Sequence, residues 1–252
     1  PLMAGGAFGP SIFPARREGL RRCTNDQVTE LDRQGYTVLR AALHPDDVAQ
    51  VKTAFSQLEL APHSRHQGLV STSPLLRQFC SNKLFQDLIW DCLHVDTGGL
   101  VNDSAESGAP VAFHQANGHK FSDPLQMLTC WAAITDDLEG SLRVIPKLHR
   151  RGVLKHASNG GADGKLSSNV TIPGLREDDA VSVPLHAGDV VVFWSLTPYA
   201  VVAKTGVQAY SMQFAIDGTL VLQVANGVAE DLPQRLVLKD GARAPADTDA
   251  RL

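Results

Sequence analysis

No stretch of this 252-residue sequence is apolar for long enough to span a bilayer, because its longest β-rich runs are broken by charge or proline. The opening residues, PLMAGGAFGPSIFPARREGLRR, lack the charged-then-apolar order of a secretory leader. No membrane partner is therefore expected, and cytoplasmic residence is the default. There is no basic run either, and the formal net charge is -4, so nucleic acid and anionic lipid are not expected partners. Cysteine is scarce: Cys23, Cys80, Cys92 and Cys130 are scattered without metal-type or redox-type spacing. Cys80 and Cys92 fall in helical patterns and Cys130 in a strand pattern, which reads as reduced thiols in the core.

What is present suits one large β domain, with 43% hydrophobic and 20% charged residues. Residues 1–22 read as an irregular arm, 23–226 as a single domain with helical N-terminal support, and 227–252 as a tail that loses β pattern. Thr24 and Gln27 form a capping box that opens a helix to about Gln34, ended by Gly35. Tyr36 to Arg40 alternates like a strand, and His44-Pro45 with Asp46 and Asp47 opens a second helix whose Val48, Val51, Phe55 and Leu58 share one face. Residues 61–68, with His63 and His66, read as a surface loop. Ser73-Pro74 and Asn82 start two more helices, the second burying Phe85, Leu88, Ile89 and Cys92. The turn formers of 96–110 suggest a lid over a barrel mouth, and 159–168 a flexible loop near it. Strand patterns then follow at 111–114, 126–135, 142–146, 169–173, 180–185, 189–195, 209–216 and 219–225, which fits a jelly roll of two packed sheets.

Four blocks in order carry a family resemblance: GYTVLRAALHPDDVAQVKTAF from Gly35, FHQANGH from Phe113, TCWAAITDDLEGSLRVIPKLH from Thr129, and GDVVVFWSLTPYAVVAKTGVQAYSMQFA from Gly188. Together they resemble the phytanoyl-CoA dioxygenase (PhyH) family, oxygenases that use iron(II) and 2-oxoglutarate. The resemblance implies a mostly β fold with flanking N-terminal helices around a double-stranded β-helix, a cupin-like jelly-roll barrel. It places a His-x-Asp iron motif at FHQANGH and the distal histidine and cosubstrate arginine in the last block.

At these positions the chain departs from the pattern. Such iron needs two histidines and a carboxylate. His114 is present, but the carboxylate position falls on Ala116, the distal histidine on Tyr199 and the arginine on Val207, flanked by Gly206 and Gln208. Alanine at the carboxylate position is tolerated in the family's halogenase branch, whereas a phenol with a pKa near 10 is a poor ligand for a divalent ion. The site residues expected on this basis are His114 and Tyr199 as acid and base. Asn117, His119, Met127, Trp131, Trp194 and Tyr210 are expected to contact substrate, and Phe113 to line the wall. Any metal would be held through His114, with His119 and Asp123 able to complete a makeshift site. His149, Arg150, Arg151, Lys155 and His156 read either as an anion-binding cluster or as a solvated corner.

Two functional readings follow. In the first, the protein has given up iron and 2-oxoglutarate. It then acts as a non-catalytic partner of an active oxygenase, in a homo- or heterodimer, or as a cofactor-independent isomerase or cyclase for a small molecule. In the second, it is an oxygenase or halogenase that tailors a small organic substrate with iron(II) and 2-oxoglutarate at an atypical metal site.

Overall fold

The computed structural model describes residues 22–118, 120–158, 170–225 and 228–243. The chain begins with α1 (Asn25–Gln34), β1 (Tyr36–Leu39), α2 (Pro45–Gln57), β2 (Ser64–Gln67), α3 (Pro74–Cys80), α4 (Lys83–Leu88) and β3 (Gly98–Ser107). It continues with β4 (Val111–His114), β5 (Lys120–Asp123), β6 (Met127–Ala133), β7 (Leu142–Val144), β8 (Ala157–Ser158), β9 (Val170–Thr171) and β10 (Val181–Ser182). It ends with β11 (Val190–Trp194), β12 (Tyr199–Val201), β13 (Gln208–Ile216), β14 (Leu220–Ala225), β15 (Val228–Asp231), β16 (Arg235–Lys239) and β17 (Ala242–Arg243).

The helix boundaries follow from their caps. Thr24 Oγ1 accepts from the Gln27 amide at 3.2 Å while Gln27 Oε1 accepts from the Thr24 amide at 2.9 Å, satisfying two orphan donors of α1. His44 and Asp47 make the equivalent exchange ahead of Pro45 in α2, and Ser73 and Asn82 cap α3 and α4. Val48, Val51 and Phe55 face inward from α2, and Leu88, Ile89 and Cys92 from the end of α4 and the π-turn that follows it.

Eight strands form the large sheet, in the order β1-β11-β6-β13-β3-β16-β17, with β2 also pairing β3. A four-stranded sheet, β10-β7-β12-β4, supplies the second layer, and β15-β14-β5 closes one side. All of these pairings are antiparallel. This is the expected jelly-roll arrangement with helices on one side. The large sheet is buried on both faces. Its Leu128, Cys130, Val190, Val192, Trp194, Tyr210, Met212 and Phe214 pack on Phe55, Phe79 and Phe85 of the helices. The alternate residues Trp131, Ala133, Val191, Phe193 and Ala209 meet Leu142, Val144, Tyr199 and Val201 of the small sheet.

Several segments outside the expected strands are strands, among them Tyr199–Val201. The lid expected over 96–110 is mostly β3, which pairs β13 along one edge and β2 and β16 along the other. Its Gly98 and Gly99 suit close strand packing better than a turn. A Cβ on Gly99 would strike the Arg235 carbonyl, and one on Gly98 would lie 2.9 Å from the Ala215 carbonyl oxygen. Residues 61–68 contain β2, and the loop after His114 folds back as β5. The tail is also corrected: β15, β16 and β17 lie beyond residue 226, and Leu236, Val237 and Leu238 are buried. The expected arm (apart from Arg22), the 159–168 insert and the chain beyond residue 243 lie outside the described residues.

One corner ties α1 to the sheets. Gly35, at φ 91°, ends the helix, and its carbonyl accepts from the Trp194 amide at 3.0 Å and Thr197 Oγ1 at 2.7 Å. A Cβ here would collide with His149 Nδ1 and lie 2.7 Å from Thr197 Oγ1. Gly35→Ala should therefore lower stability by about 2–4 kcal/mol, from left-handed strain and overpacking together, as read by urea unfolding.

Candidate active site

The small sheet brings His114 and Tyr199 together. They are direct cross-strand partners in β4 and β12, so their side chains share the inward face, with ring centroids 4.3 Å apart. His114 Nδ1 lies 2.9 Å from the Ala112 carbonyl oxygen, which only accepts, so this nitrogen carries the proton. Tyr199 is 1% exposed, with Phe193 at 5.0 Å and Trp131 at 6.2 Å. Burial pushes its phenol up to about 12, with Glu106 adding to the rise and the Arg65 guanidinium opposing it. Ala116 packs into the same apolar cluster.

The large sheet contributes charge to this interior. Arg65 of β2 pairs in register with Glu106 of β3, and its Nε lies 2.7 Å from Glu106 Oε1. The N–H does not point along that line, so the contact is an ion pair more than a hydrogen bond. Ser104 Oγ donates to the same Glu106 oxygen at 2.7 Å, while Glu106 Oε2 is buried without a hydrogen-bond partner. Burial works against the Arg65 charge, but the nearby Glu106 and Tyr199 raise its pKa above the ordinary value. A second cation, Lys120 of β5, reaches Gln213 Oε1 of β13 at 3.1 Å and is 8% exposed. Burial first, then the nearby Arg65, lowers the Lys120 pKa to about 7, and Asp103 only partly offsets them.

None of Arg65, Ser104, Glu106 and Lys120 stands out in the sequence. Arg65 lay in a presumed loop, Ser104 and Glu106 in a presumed lid, and Lys120 in a polar segment. One usable cue is the alternation Lys120, Phe121, Ser122, Asp123, whose first and third residues turn inward while Phe121 and Asp123 face out.

Of the expected substrate contacts, Trp131 and Met127 do face the interior, Met127 in a satellite cluster with Val101, Ala215 and Val221. Trp194 and Tyr210 do not. Both occupy the helix face of the large sheet, one position out of phase with Phe193 and Ala209, and Tyr210 donates its hydroxyl to Asp103 at 2.7 Å. Phe113 packs with Ile145 and Ala200 on the outside of the small sheet. Asn117 is buried and donates to Ser122 Oγ at 3.1 Å and the Leu125 carbonyl at 3.3 Å, bracing the β4–β5 turn, while its Oδ1 has no partner. His119 lies outside the described residues. Asp123 is exposed on β5. Among the described residues, no three or more His, Cys, Asp or Glu side chains are placed to hold a metal ion. Val207 is an apolar residue ahead of β13. The basic corner splits up: His149 Nε2 and Arg150 bind the Asp32 carbonyl at the end of α1, and His156 Nε2 accepts from the Gln115 amide at 3.0 Å. Among the described residues, no helix is long and apolar enough to cross a membrane.

Comparisons with solved structures agree with this architecture. The chain is similar to EvdO2 from Micromonospora carbonacea var. aurantiaca, with 18% identity and a TM-score of 0.64 over 83% of this chain and 95% of that one. It is also similar to the epimerase SnoN in complex with Fe3+, alpha ketoglutarate and nogalamycin RO, with 17% identity and a TM-score of 0.63 over 89% and 96%. A third similar structure is the non-heme monooxygenase ThoJ, with 18% identity and a TM-score of 0.64 over 87% of each chain. No curated protein matches the sequence. Residues 60–205 match the family described as phytanoyl-CoA dioxygenase (PhyH), and with that match spanning more than half of its length the chain belongs to the PhyH family.

Proposed function

We propose that this chain is a small-molecule catalyst of the acid–base type, an isomerase or cyclase, working inside the family's jelly roll without the standard iron(II) and 2-oxoglutarate site. The buried pairing of Tyr199 with His114 carries this reading. At the position where the family resemblance places the distal histidine, the phenol keeps its proton at neutral pH, with burial raising its pKa and the nearby Arg65 charge only partly opposing it. A phenol that keeps its proton is a poor ligand for a divalent ion, and Ala116 offers no donor at all. Val207 cannot make the bidentate, charge-assisted contact that an arginine makes with a carboxylate. These residues do not fit iron held by two imidazoles and a carboxylate, so the chemistry falls to protein groups. Tyr199 donates a hydrogen bond to a substrate carbonyl. His114 is oriented beside Tyr199 by the Ala112 carbonyl, and Lys120, held on Gln213, exchanges a proton near neutral pH.

The same interior disfavours a purely scaffolding role beside an active oxygenase. Burying Arg65, Lys120 and Glu106 destabilises the fold, and a subunit kept only for its outer surface has no need of them. A second reading, an oxygenase with an atypical iron site, is favoured by the ligands of the similar structures: SnoN holds Fe3+ and alpha ketoglutarate, and EvdO2 has been crystallised with 2-oxoglutarate.

An anaerobic titration with iron(II) in the presence of 2-oxoglutarate separates the two. The expected outcome is neither heat of binding nor the visible charge-transfer band of a chelated cosubstrate; micromolar binding with that band would establish the second reading instead. The state of Lys120 is tested separately. Its folded pKa of about 7 lies below the ordinary 10.5, so between those values the unfolded chain binds more protons and stability rises with pH. Lys120→Met should remove this gain. Urea unfolding at about pH 6.5 and 9.5 should show the stability difference between wild type and variant shifting by on the order of 1–4 kcal/mol in favour of wild type at the higher pH.

A further inference from the structure

Away from the interior, on the helix side of the large sheet, two of the four buried cysteines meet. Cys23 precedes the cap of α1 and Cys92 sits in the π-turn after α4, 69 residues on, with their Sγ atoms 3.9 Å apart. Their approach does not depend on the thiols. Asp91 Oδ2 accepts from the Arg22 amide at 2.7 Å and from the Cys23 amide at 2.9 Å, so the residue beside Cys92 holds the backbone of Cys23. Arg22 Nε adds a 3.2 Å ion pair with Asp87 of α4. Adjacent side chains of a regular helix diverge widely, but in this wider turn Asp91 and Cys92 are both buried. The other two cysteines are placed differently. Cys80 Sγ donates to the Tyr210 hydroxyl at 3.7 Å, and Cys130 lies in β6 between β11 and β13.

We propose that Cys23 and Cys92 are a redox-sensitive pair, which hydrogen peroxide converts to a disulfide that staples the start of α1 to the turn after α4. A disulfide bond is about 2 Å long, so the sulfurs must close by roughly 2 Å, a shift within reach of side-chain rotation on backbones that Asp91 already holds. In the closed fold the Cys23 contact and then burial hold the Cys92 thiol well above its ordinary pKa, so little thiolate is present there. The reaction therefore waits on local opening of residues 22–24, where exposed Arg22 and Thr24 flank Cys23. The Cys23 thiolate attacks the peroxide bond, giving a sulfenic acid and releasing hydroxide. The Cys92 thiolate then attacks that sulfur, forming the S–S bond and expelling a second hydroxide. The two protons lost by the thiols convert both hydroxides to water: two thiols give up two electrons and one peroxide is reduced to two waters.

The test is to treat the full chain with hydrogen peroxide in the presence of a chelator, block the remaining thiols with iodoacetamide, and map peptides without reductant. The expected product is a single intramolecular link between the Cys23 and Cys92 peptides, reversed by dithiothreitol, with Cys80 and Cys130 recovered alkylated once the protein is unfolded in iodoacetamide. The oxidised protein should melt about 5–10 °C higher than the reduced one, because the bridge closes a long loop. Cys92→Ala should give neither the link nor the rise in Tm, and its Cys23 should instead be trapped by dimedone as the sulfenic acid. If Cys92→Ala fails to fold, Cys23→Ala serves for the loss of link and Tm rise, and the wild-type peptide map decides the pairing in either case. Four results would overturn the proposal: sulfenic or sulfinic acids without a disulfide, linkage through Cys80 or Cys130, disulfides only between molecules, or a Cys23–Cys92 bridge that leaves Tm unchanged. The outcome is independent of the interior site and of the iron titration.

Discussion

The large sheet has no face turned to water, and the rest of the molecule depends on that constraint. β13 runs between β3 and β6, and along it Tyr210, Met212 and Phe214 enter the helix core while Ala209, Ser211 and Gln213 face the small sheet. A slip of one residue would put the aromatic ring of Tyr210 into the interior and drive Gln213 among Phe55, Phe79 and Phe85. The register of this strand therefore decides both what the helices pack on and which polar groups line the interior. It also places Gln213 where Lys120 can reach it.

Against that apolar frame, the interior is unusual in how much charge it holds. Buried ion pairs seldom repay the loss of hydration, and an unpaired buried ammonium never does without a partner. The protein keeps Arg65, Glu106 and Lys120 inward all the same, on three different strands, the first two near a tyrosine whose proton is held by burial. The stabilising work is done elsewhere, by the two continuous apolar clusters on either side of the large sheet. Family membership and site chemistry thus rest on different residues, which is how one jelly roll can host epimerases and monooxygenases alike.

Only part of the site was legible from residue order. His114 and Tyr199 were found because the family blocks align them with the iron motif and the distal histidine; the strand at 199–201 and its pairing with β4, which bring the two together, were visible only in the structure. Trp194 and Tyr210 were assigned to the interior because they are aromatic and adjacent in sequence to inward residues; alternation sends them to the other face. Arg65, Ser104 and Glu106 were hidden because β2 and β3 are too polar and too rich in glycine to read as strands before their partners are known. Lys120 looked like any loop lysine until β14 drew its segment into a sheet.

The helix ends, the eight strand patterns from Val111 to Ala225 and the order of the family blocks were determined by the sequence itself. A capping box needs only residues three apart, and an apolar alternation records which strand has a buried face. Tertiary structure alone decided that 98–107 is a central strand, that the chain returns to the large sheet after residue 226, and that three charged side chains point inward. Each of these depends on partners distant in the chain. Gly98 and Gly99 extend as a strand because the backbones of β13 and β16 press against them, and a charge can remain buried only where another strand brings up its counterpart.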